Sequence, residues 1–200
     1  MQLKKVIILG PESTGKSTLC ANLATHYSTL WCPEYAREYL LKNGNEYSYE
    51  DLLVIAKGQL AMEEEYVSRI MREVKREPNN LTLPTSNLQP PTSNFQLLFL
   101  DTDMYVMKVW CEYVFNKCPP FILEKAAEQS CDLYLLCNPD LPWVKDELRE
   151  YPDLQSRLEL YHIYKDLLMN QPVPWVIIDG SDYDNRLLQA VQAVEKYIIF

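Results

Sequence analysis

Short runs of apolar residues alternate along the chain with stretches in which apolar residues recur at helix spacing. Five of the runs have the length of a buried strand, namely residues 6–9, 29–32, 96–100, 132–137 and 175–178. Strands that alternate with helices in this way usually pair in parallel, because each connection crosses back over the sheet. The pattern therefore predicts an α/β fold with a mainly parallel sheet.

Three helices are predicted from the same spacing. Apolar residues recur at helix intervals over residues 19–27, between the first two strands. A long helix is predicted over residues 49–77, where Ser48 and Asp51 have the spacing of a capping box at its start. A final helix is predicted to begin after Ser181.

Residues 78–94 depart from this pattern. They contain four prolines and no charged residue, and "PTSNLQP" is followed at once by the near-duplicate "PTSNFQL". This composition is typical of turns and loops rather than of a packed core. We interpret the segment as a dispensable surface-loop insertion within a single domain that spans residues 1–200.

The charge and cysteine content exclude several classes of protein. The net charge is −9, from 19 basic and 28 acidic residues, so nucleic acids and anionic membranes would be repelled on average. No two of the six cysteines have C-x-x-C spacing, which disfavours a zinc site, and reduced thiols are typical of the cytoplasm. We expect a cytoplasmic protein whose partner is a small molecule, with no nucleic-acid or membrane partner.

A phosphate-binding loop follows the first predicted strand. "GPESTGKS" matches G-x-x-x-x-G-K-[ST] between a strand and a helix, which is the context that the motif requires. Backbone N–H groups and the helix N-terminus hold phosphate oxygens, Lys16 reaches the β- and γ-phosphates, and Ser17 ligates Mg²⁺. The cofactors predicted are ATP and Mg²⁺, and the residues expected to contact ATP are Gly10, Glu12, Ser13, Thr14, Gly15, Lys16, Ser17 and Thr18.

An acidic residue that could hold the metal ends the third predicted strand. "QLLFLDTD" places Asp101 directly after an apolar run, and a carboxylate there can bind Mg²⁺ directly or through water. Asp103, two residues further on, either faces the same cleft or caps the next helix.

The stretch "WCPEYAREYL" bears on whether the chain is an ATPase or a kinase. A guanine-reading N-K-x-D is not found in "CNPDLPWV", which disfavours a GTPase. Glu34 and Arg37 follow the second strand at the edge where parallel sheets bind ligands, so Glu34 could orient or deprotonate an acceptor hydroxyl. The alternative, an exposed first helical turn, explains their spacing equally well.

Basic residues follow the fourth predicted strand. "PWVKDELREYPDLQSRL" offers Lys145, Arg149 and Arg157 at the point where a mobile lid would close over ATP. A solvated helix with interleaved acids and bases is the alternative interpretation.

Several of these stretches together resemble one known family. "GPESTGKSTL", "PEYAREYL", "LDTDMYVMKVW", "DLYLLCNPDLPWVKDELRE" and "DYDNRLLQAV" occur in the same order in the NadR-type ribosylnicotinamide kinase domain, an AAA_28-like P-loop NTPase. The resemblance implies a three-layer P-loop kinase fold related to adenylate kinase, with a five-stranded parallel sheet and a helical lid. It also implies ATP- and Mg²⁺-dependent phosphorylation of nicotinamide riboside to nicotinamide mononucleotide.

The resemblance also implies roles for individual residues. Catalysis and metal binding would fall to Lys16, Ser17, Glu34, Asp101, Arg149 and Arg157. The acceptor would lie against Glu34, Tyr35, Arg37, Asp103, Tyr105, Trp110 and Trp143, although core packing also explains Trp110. The adenine would be bordered by Tyr183 or Arg186.

Two further functions stay open at this stage. They are a kinase of another nucleoside or vitamin alcohol, and a regulatory P-loop ATPase. Because the chain begins at the first kinase strand, we expect a standalone form without adenylyltransferase or DNA-binding domains, which makes the mononucleotide and stops.

Overall fold

Five parallel strands form the centre of the computed structural model, which describes residues 2–76 and 95–199. Their order in the sheet is β2-β3-β1-β4-β5, and all four pairings are parallel. The strands are β1 (Gln2–Leu9), β2 (Leu30–Cys32), β3 (Phe95–Leu100), β4 (Leu133–Cys137) and β5 (Trp175–Ile178). Each predicted strand is present, and the predicted insertion at 78–94 lies outside the described residues.

Seven α-helices connect and cover these strands within the described residues. They are α1 (Lys16–His26), α2 (Tyr35–Asn43), α3 (Tyr49–Arg76), α4 (Met104–Phe115), α5 (Pro120–Glu128), α6 (Leu154–Met169) and α7 (Tyr183–Val194). A π-helical turn, Glu195–Ile199, follows α7.

The ends of two helices test the capping predictions. The capping box at α3 is confirmed, because Asp51 accepts from the Ser48 N–H at 2.8 Å and the Ser48 hydroxyl accepts from the Asp51 N–H at 3.3 Å. The last helix begins after Ser181, as predicted, and its cap is Asp182, since the Asp182 carboxylate accepts from the Asp184 N–H at 3.1 Å. A carboxylate is a strong acceptor for these orphan N–H groups.

Alternate residues of each strand face opposite layers of helices. Val6 and Ile8 of β1 pack with α1 and α7, whereas Ile7 and Leu9 pack with α3, α4 and α6. Both faces of the sheet are therefore buried, as is usual for parallel sheets. The prediction of a three-layer fold with five parallel strands is confirmed.

The segment between β4 and α6, residues 138–153, contains no helix, so the helical lid expected there is not helical before Leu154. Pro142 and Pro152 interrupt it, and prolines within a helix remove hydrogen bonds. The Asp153 carboxylate accepts from the Ser156 N–H at 2.7 Å and so caps α6. We call residues 142–151 the lid segment.

The carboxyl ends of the strands meet at one edge of the sheet, and the loops that follow them gather there. Gly10 follows β1, Pro33 follows β2, Asp101 follows β3 and Asn138 follows β4. Ligands bind at this edge in parallel α/β folds. None of the helices in the described part of the chain is long and apolar enough to cross a bilayer.

Candidate active site

A cavity of about 600 Å³ lies at this edge of the sheet. Its walls come from the phosphate-binding loop, from the start of α2, from one face of α4 and from the lid segment. A volume of this size is that of a small-molecule or cofactor site. The cavity therefore brings the phosphate-binding loop and the stretch around Glu34 into one site.

Glycines give the phosphate-binding loop its shape. Gly10 has φ +143° and Gly15 has φ +77°, values that residues with side chains rarely adopt. A Cβ atom at Gly10 would lie 2.7 Å from the Cys137 carbonyl oxygen, so the loop lies directly against the end of β4. Gly15 caps α1 without a side-chain hydrogen bond, which leaves the first N–H groups of the helix available to an anion.

Two side chains of the loop are bonded to its own backbone. The Lys16 ammonium and the Thr14 hydroxyl each donate to the Pro11 carbonyl oxygen, at 2.8 Å in both cases. Both residues line the cavity, but Thr14 is almost fully buried. The Lys16 ammonium is therefore placed to contact a phosphate bound in the loop.

Asp101 and Ser17 form a pair of oxygen donors beside Lys16. The Ser17 hydroxyl donates to Asp101 Oδ2 at 2.5 Å, while the buried Asp101 Oδ1 has no partner. Burial, and to a smaller extent the charge of Glu34, raise the pKa of Asp101 to about 7, although Lys16 and the hydrogen bond from Ser17 lower it in part. An orphaned carboxylate oxygen next to a hydroxyl fits Mg²⁺, which binds few protein ligands and takes the rest from phosphate and water.

Glu34 precedes α2 but does not cap it. Its side chain makes no capping hydrogen bond and lines the cavity, so it is not simply exposed at the first turn of the helix. Burial raises the pKa of this carboxyl, while Lys16 and Arg37 lower it in part. Glu34 is thus close enough to both Lys16 and Arg37 for their charges to act on it.

Gln59 of α3 holds the backbone on both sides of Glu34. Its buried side-chain amide accepts from the Tyr35 N–H at 2.7 Å and donates to the Pro33 carbonyl oxygen at 3.3 Å. This contact between two helices was not predicted from the sequence, because a single glutamine in a helical pattern gives no signal of its partner.

The lid segment is bonded to the phosphate-binding loop. The Glu12 carboxylate accepts from the Trp143 indole at 3.1 Å and from the N–H groups of Glu150 and Tyr151 at 2.9 and 2.7 Å. Arg149 donates to the Ser13 hydroxyl at 3.3 Å and also to the Val144 carbonyl oxygen. Arg149 is thereby held over the loop, and it lines the cavity.

The same segment is bonded to the opposite wall. Both terminal nitrogens of Arg37 donate to the Asp146 carboxylate, at 3.2 and 3.0 Å. The Tyr47 hydroxyl donates to Glu150 at 2.9 Å and accepts from the Trp110 indole at 2.9 Å. The lid segment therefore connects the two sides of the cavity.

Besides Tyr183, five aromatic side chains among the described residues line the cavity, but only one of them, Trp110, was predicted as an acceptor contact. The others are Trp31, Tyr113, Tyr151 and Tyr164. The spacing of Val106, Trp110 and Tyr113 on one face of α4 is a signal that could have identified Tyr113.

Three aromatic residues predicted at the acceptor do not line the cavity. Tyr35 packs over Gly58, where an added Cβ would lie 2.1 Å from the Tyr35 ring. Tyr105 packs on Tyr134, with ring centroids 6.2 Å apart. The Trp143 indole donates a hydrogen bond to the Glu12 carboxylate.

Three charged residues predicted in the site are also placed outside the cavity walls. Asp103 caps α4, accepting from the Val106 N–H at 3.0 Å and from Gln129 at 2.8 Å. Arg157 is buried in α6 and donates to the Leu141 carbonyl oxygen at 3.4 Å. Arg186 is buried behind the phosphate-binding loop, whereas Tyr183 does line the cavity.

Comparisons with known proteins agree with this geometry. The chain is 27% identical over 198 residues to the trifunctional NAD biosynthesis/regulator protein NadR of Escherichia coli K12, which covers 97% of this chain and 42% of that protein. The chain thus spans less than half the length of this relative.

Two solved structures share the fold. A crystal structure of NadR protein in complex with NR superposes with a TM-score of 0.69 at 25% identity, over 98% of this chain and 50% of that one. Thymidylate kinase from Ehrlichia chaffeensis superposes with a TM-score of 0.61 at 13% identity, over 98% and 99% of the two chains. The predicted resemblance to the NadR-type kinase domain is confirmed.

The sequence pattern of the AAA_28 family, described as an AAA domain, matches residues 5–186. This range contains the phosphate-binding loop, Asp101 and the lid segment. The chain therefore belongs to the AAA_28 family of P-loop domains.

Proposed function

We propose that this protein is an ATP- and Mg²⁺-dependent kinase that phosphorylates the 5′-hydroxyl of nicotinamide riboside to give nicotinamide mononucleotide. The observation that carries the proposal is the shared cavity, which both Lys16 of the phosphate-binding loop and Glu34 at the start of α2 line. A hydrolase needs only the first part, whereas a kinase needs a wall for the acceptor beside the phosphate. The likeness to NadR supports the choice of acceptor.

The transfer would follow from the positions of these side chains. The 5′-oxygen of the acceptor forms a bond to the γ-phosphorus of ATP while the bond between that phosphorus and the ADP oxygen breaks. Glu34 accepts the proton that the 5′-hydroxyl loses. Lys16 and Arg149 stabilise the charge on the phosphoryl oxygens. Ser17 and Asp101 would hold Mg²⁺, which neutralises phosphate charge when bound.

Glu34 suits the role of base better than Asp101 does. One oxygen of Asp101 accepts from Ser17, and the other has no partner and lies beside the phosphate-binding loop. This arrangement suits Asp101 to binding the metal rather than to accepting a proton from the acceptor. The Glu34 carboxylate makes no capping bond and lines the cavity toward α2. The pKa of both carboxyls is raised, so the choice of Glu34 rests on its position rather than on its pKa.

The aromatic and acidic lining of the cavity suits a cationic aromatic ring. Trp31, Trp110 and Tyr113 line it together with the carboxylates of Asp146 and Glu150. Aromatic faces and nearby carboxylates both attract a positively charged ring, which the pyridinium of nicotinamide riboside supplies.

The test is ADP release from ATP and MgCl₂ with nicotinamide riboside, a panel of other nucleosides, thiamine, or no acceptor. We expect rapid release with nicotinamide riboside and negligible release without an acceptor. Faster turnover of another nucleoside would replace the proposed acceptor but keep the kinase. Equal release with and without every acceptor would contradict both and indicate an ATPase.

A further inference from the structure

We propose that Arg186 is a positioning residue for the nucleotide phosphates, and that it acts by orienting the peptide unit between Thr14 and Gly15. Arg186 lies on α7, is 2% exposed and does not line the cavity. Its Nη1 donates to the Thr14 carbonyl oxygen at 2.9 Å, across 172 residues of sequence. This inference rests on the nucleotide binding that the proposed function requires.

The geometry of the peptide unit gives this contact its meaning. No cis peptide occurs in the described part of the chain, and the carbonyl and N–H of a trans unit point in opposite directions. Arg186 holds the Thr14 carbonyl on the side away from the cavity, so the N–H of Gly15 is turned toward the opposite side. Gly15 lines the cavity at the start of α1, where a phosphate oxygen would accept a hydrogen bond from that N–H.

The remaining donors of Arg186 fix the guanidinium itself. Nε donates to the Gly180 carbonyl oxygen at 2.6 Å, and Nη2 donates to the Asn138 carbonyl oxygen at 2.8 Å. Nη2 also forms an ion pair with Asp140, which compensates the buried charge. The planar fork is thus seated on the loops after β4 and β5 and reaches the phosphate-binding loop with one nitrogen.

These loops keep other links that do not involve Arg186. Asp140 accepts from the Gly180 N–H at 2.6 Å and from the Asn138 amide at 3.0 Å. Gln189 joins α7 to Asp179 by hydrogen bonds of 3.1 and 3.0 Å. Loss of the arginine should therefore remove the hold on Thr14 while the loops after β4 and β5 stay connected.

The experiment measures binding of ADP with Mg²⁺ by titration calorimetry for wild type, Arg186→Met and Arg186→Lys. We expect ADP affinity to fall about 10-fold or more in Arg186→Met. Arg186→Lys should regain only part of it, because an ammonium restores the charge but not the fork. Inhibition by tripolyphosphate, which has no adenine, should weaken in parallel. The KM for the acceptor should stay within about 2-fold of wild type, because α7 lies outside the acceptor wall.

Gln189→Ala is the matched control, since it removes α7 bonds that do not involve the phosphate-binding loop. It should leave ADP affinity unchanged even if its Tm falls. The proposal is overturned if Arg186→Met lowers the Tm but binds ADP and tripolyphosphate like wild type. It is also overturned if ADP and acceptor affinities fall equally.

The result does not depend on the identity of the acceptor. A wild-type protein that binds ADP but fails to phosphorylate nicotinamide riboside would contradict the proposed function and still test Arg186. A wild-type protein that binds no ADP would overturn both. If Arg186→Met does not fold, Arg186→Lys with tripolyphosphate decides the matter, because it keeps the buried charge opposite Asp140.

Discussion

The two walls of the cavity are built in different ways. The phosphate wall is one run of consecutive residues, 10–18, shaped by the conformations of Gly10 and Gly15. The acceptor wall collects side chains from β2, α2, α4 and the lid segment. In a wall made of local backbone, few substitutions should matter, but each of those should cause a large loss of activity. In a wall made of separate side chains, each substitution should cause a smaller, partial loss.

The largest effect should come from the phosphate wall. Lys16→Ala removes the cavity-lining ammonium beside Asp101, so kcat should fall on the order of 10³-fold or more. The measurement is ADP release at saturating substrates. Lys5→Ala, which only breaks an ion pair with Glu63 outside the cavity, should keep wild-type activity. Similar activities for the two variants would show that Lys16 does not touch the transferring phosphate.

The next effect tests the acceptor wall through its carboxylate. Glu34→Gln should lower kcat about 100-fold, because the amide cannot accept the proton of the hydroxyl. ADP affinity should not change. Glu38→Gln, on the exposed side of the same helix, is the control and should be active. A change in Tm alone for Glu34→Gln would favour a structural role at the start of α2.

The pH profile sharpens the same point. Because burial raises the pKa of Glu34, its ionised fraction falls with decreasing pH sooner than that of an ordinary glutamate. The kcat of wild type should therefore decline on the acid side at a pH above the usual glutamate range, measured between about pH 5 and about pH 9. Glu34→Gln should lose the part of this decline that Glu34 causes, leaving the titration of Asp101. Profiles of identical shape would contradict Glu34 as the base.

A smaller effect should come from the support behind Glu34. Gln59→Leu leaves the Tyr35 N–H and the Pro33 carbonyl oxygen without their partner, which costs about 1–3 kcal/mol of stability. We expect kcat to fall about 10-fold with the KM for ATP unchanged. In a Glu34→Gln background the same substitution should lower kcat no further, as measured by a double-mutant cycle. Additive losses would mean that Gln59 acts on something other than Glu34.

The smallest effect is expected at the rim. Arg37 is about half exposed, and its pair with Asp146 should contribute at most about 1 kcal/mol to stability. Arg37→Ala should raise the KM for the acceptor a few-fold, leave the Tm nearly unchanged and lose effect at high salt. Arg69→Ala on α3, outside the cavity walls, should change neither constant. A large loss of kcat would instead place Arg37 on the reacting groups.

What could be predicted from the sequence follows the same division between the walls. The phosphate-binding loop and Asp101 were identified because a local motif and the end of an apolar strand carry their own signal. Arg186 was predicted to border the adenine, whereas in the structure it is bonded to Thr14. The two residues are 172 positions apart, and a contact at that separation cannot be recognised from the spacing of residues in the sequence. Gln59 was missed for the same reason.

The lid segment shows why composition can mislead. Its alternating acids and bases suggested a helix, yet the backbone N–H groups of Glu150 and Tyr151 are bonded to Glu12 instead of to a helical turn. A side chain from another loop outcompetes local helix formation between Pro142 and Pro152. Only the tertiary structure contains that acceptor.

The lid segment also has a consequence for how two ligands sense one another. It is bonded to Glu12 on one wall and to Arg37 on the other, so in the proposed kinase both substrates would contact the same ten-residue stretch, 142–151. A ligand that stabilises the bonded arrangement of this stretch also stabilises the surface that the second ligand would contact. Linkage then requires the two affinities to rise together and by the same factor. Binding of the nucleotide would thus change the affinity for the acceptor through the lid segment, without any movement of the sheet.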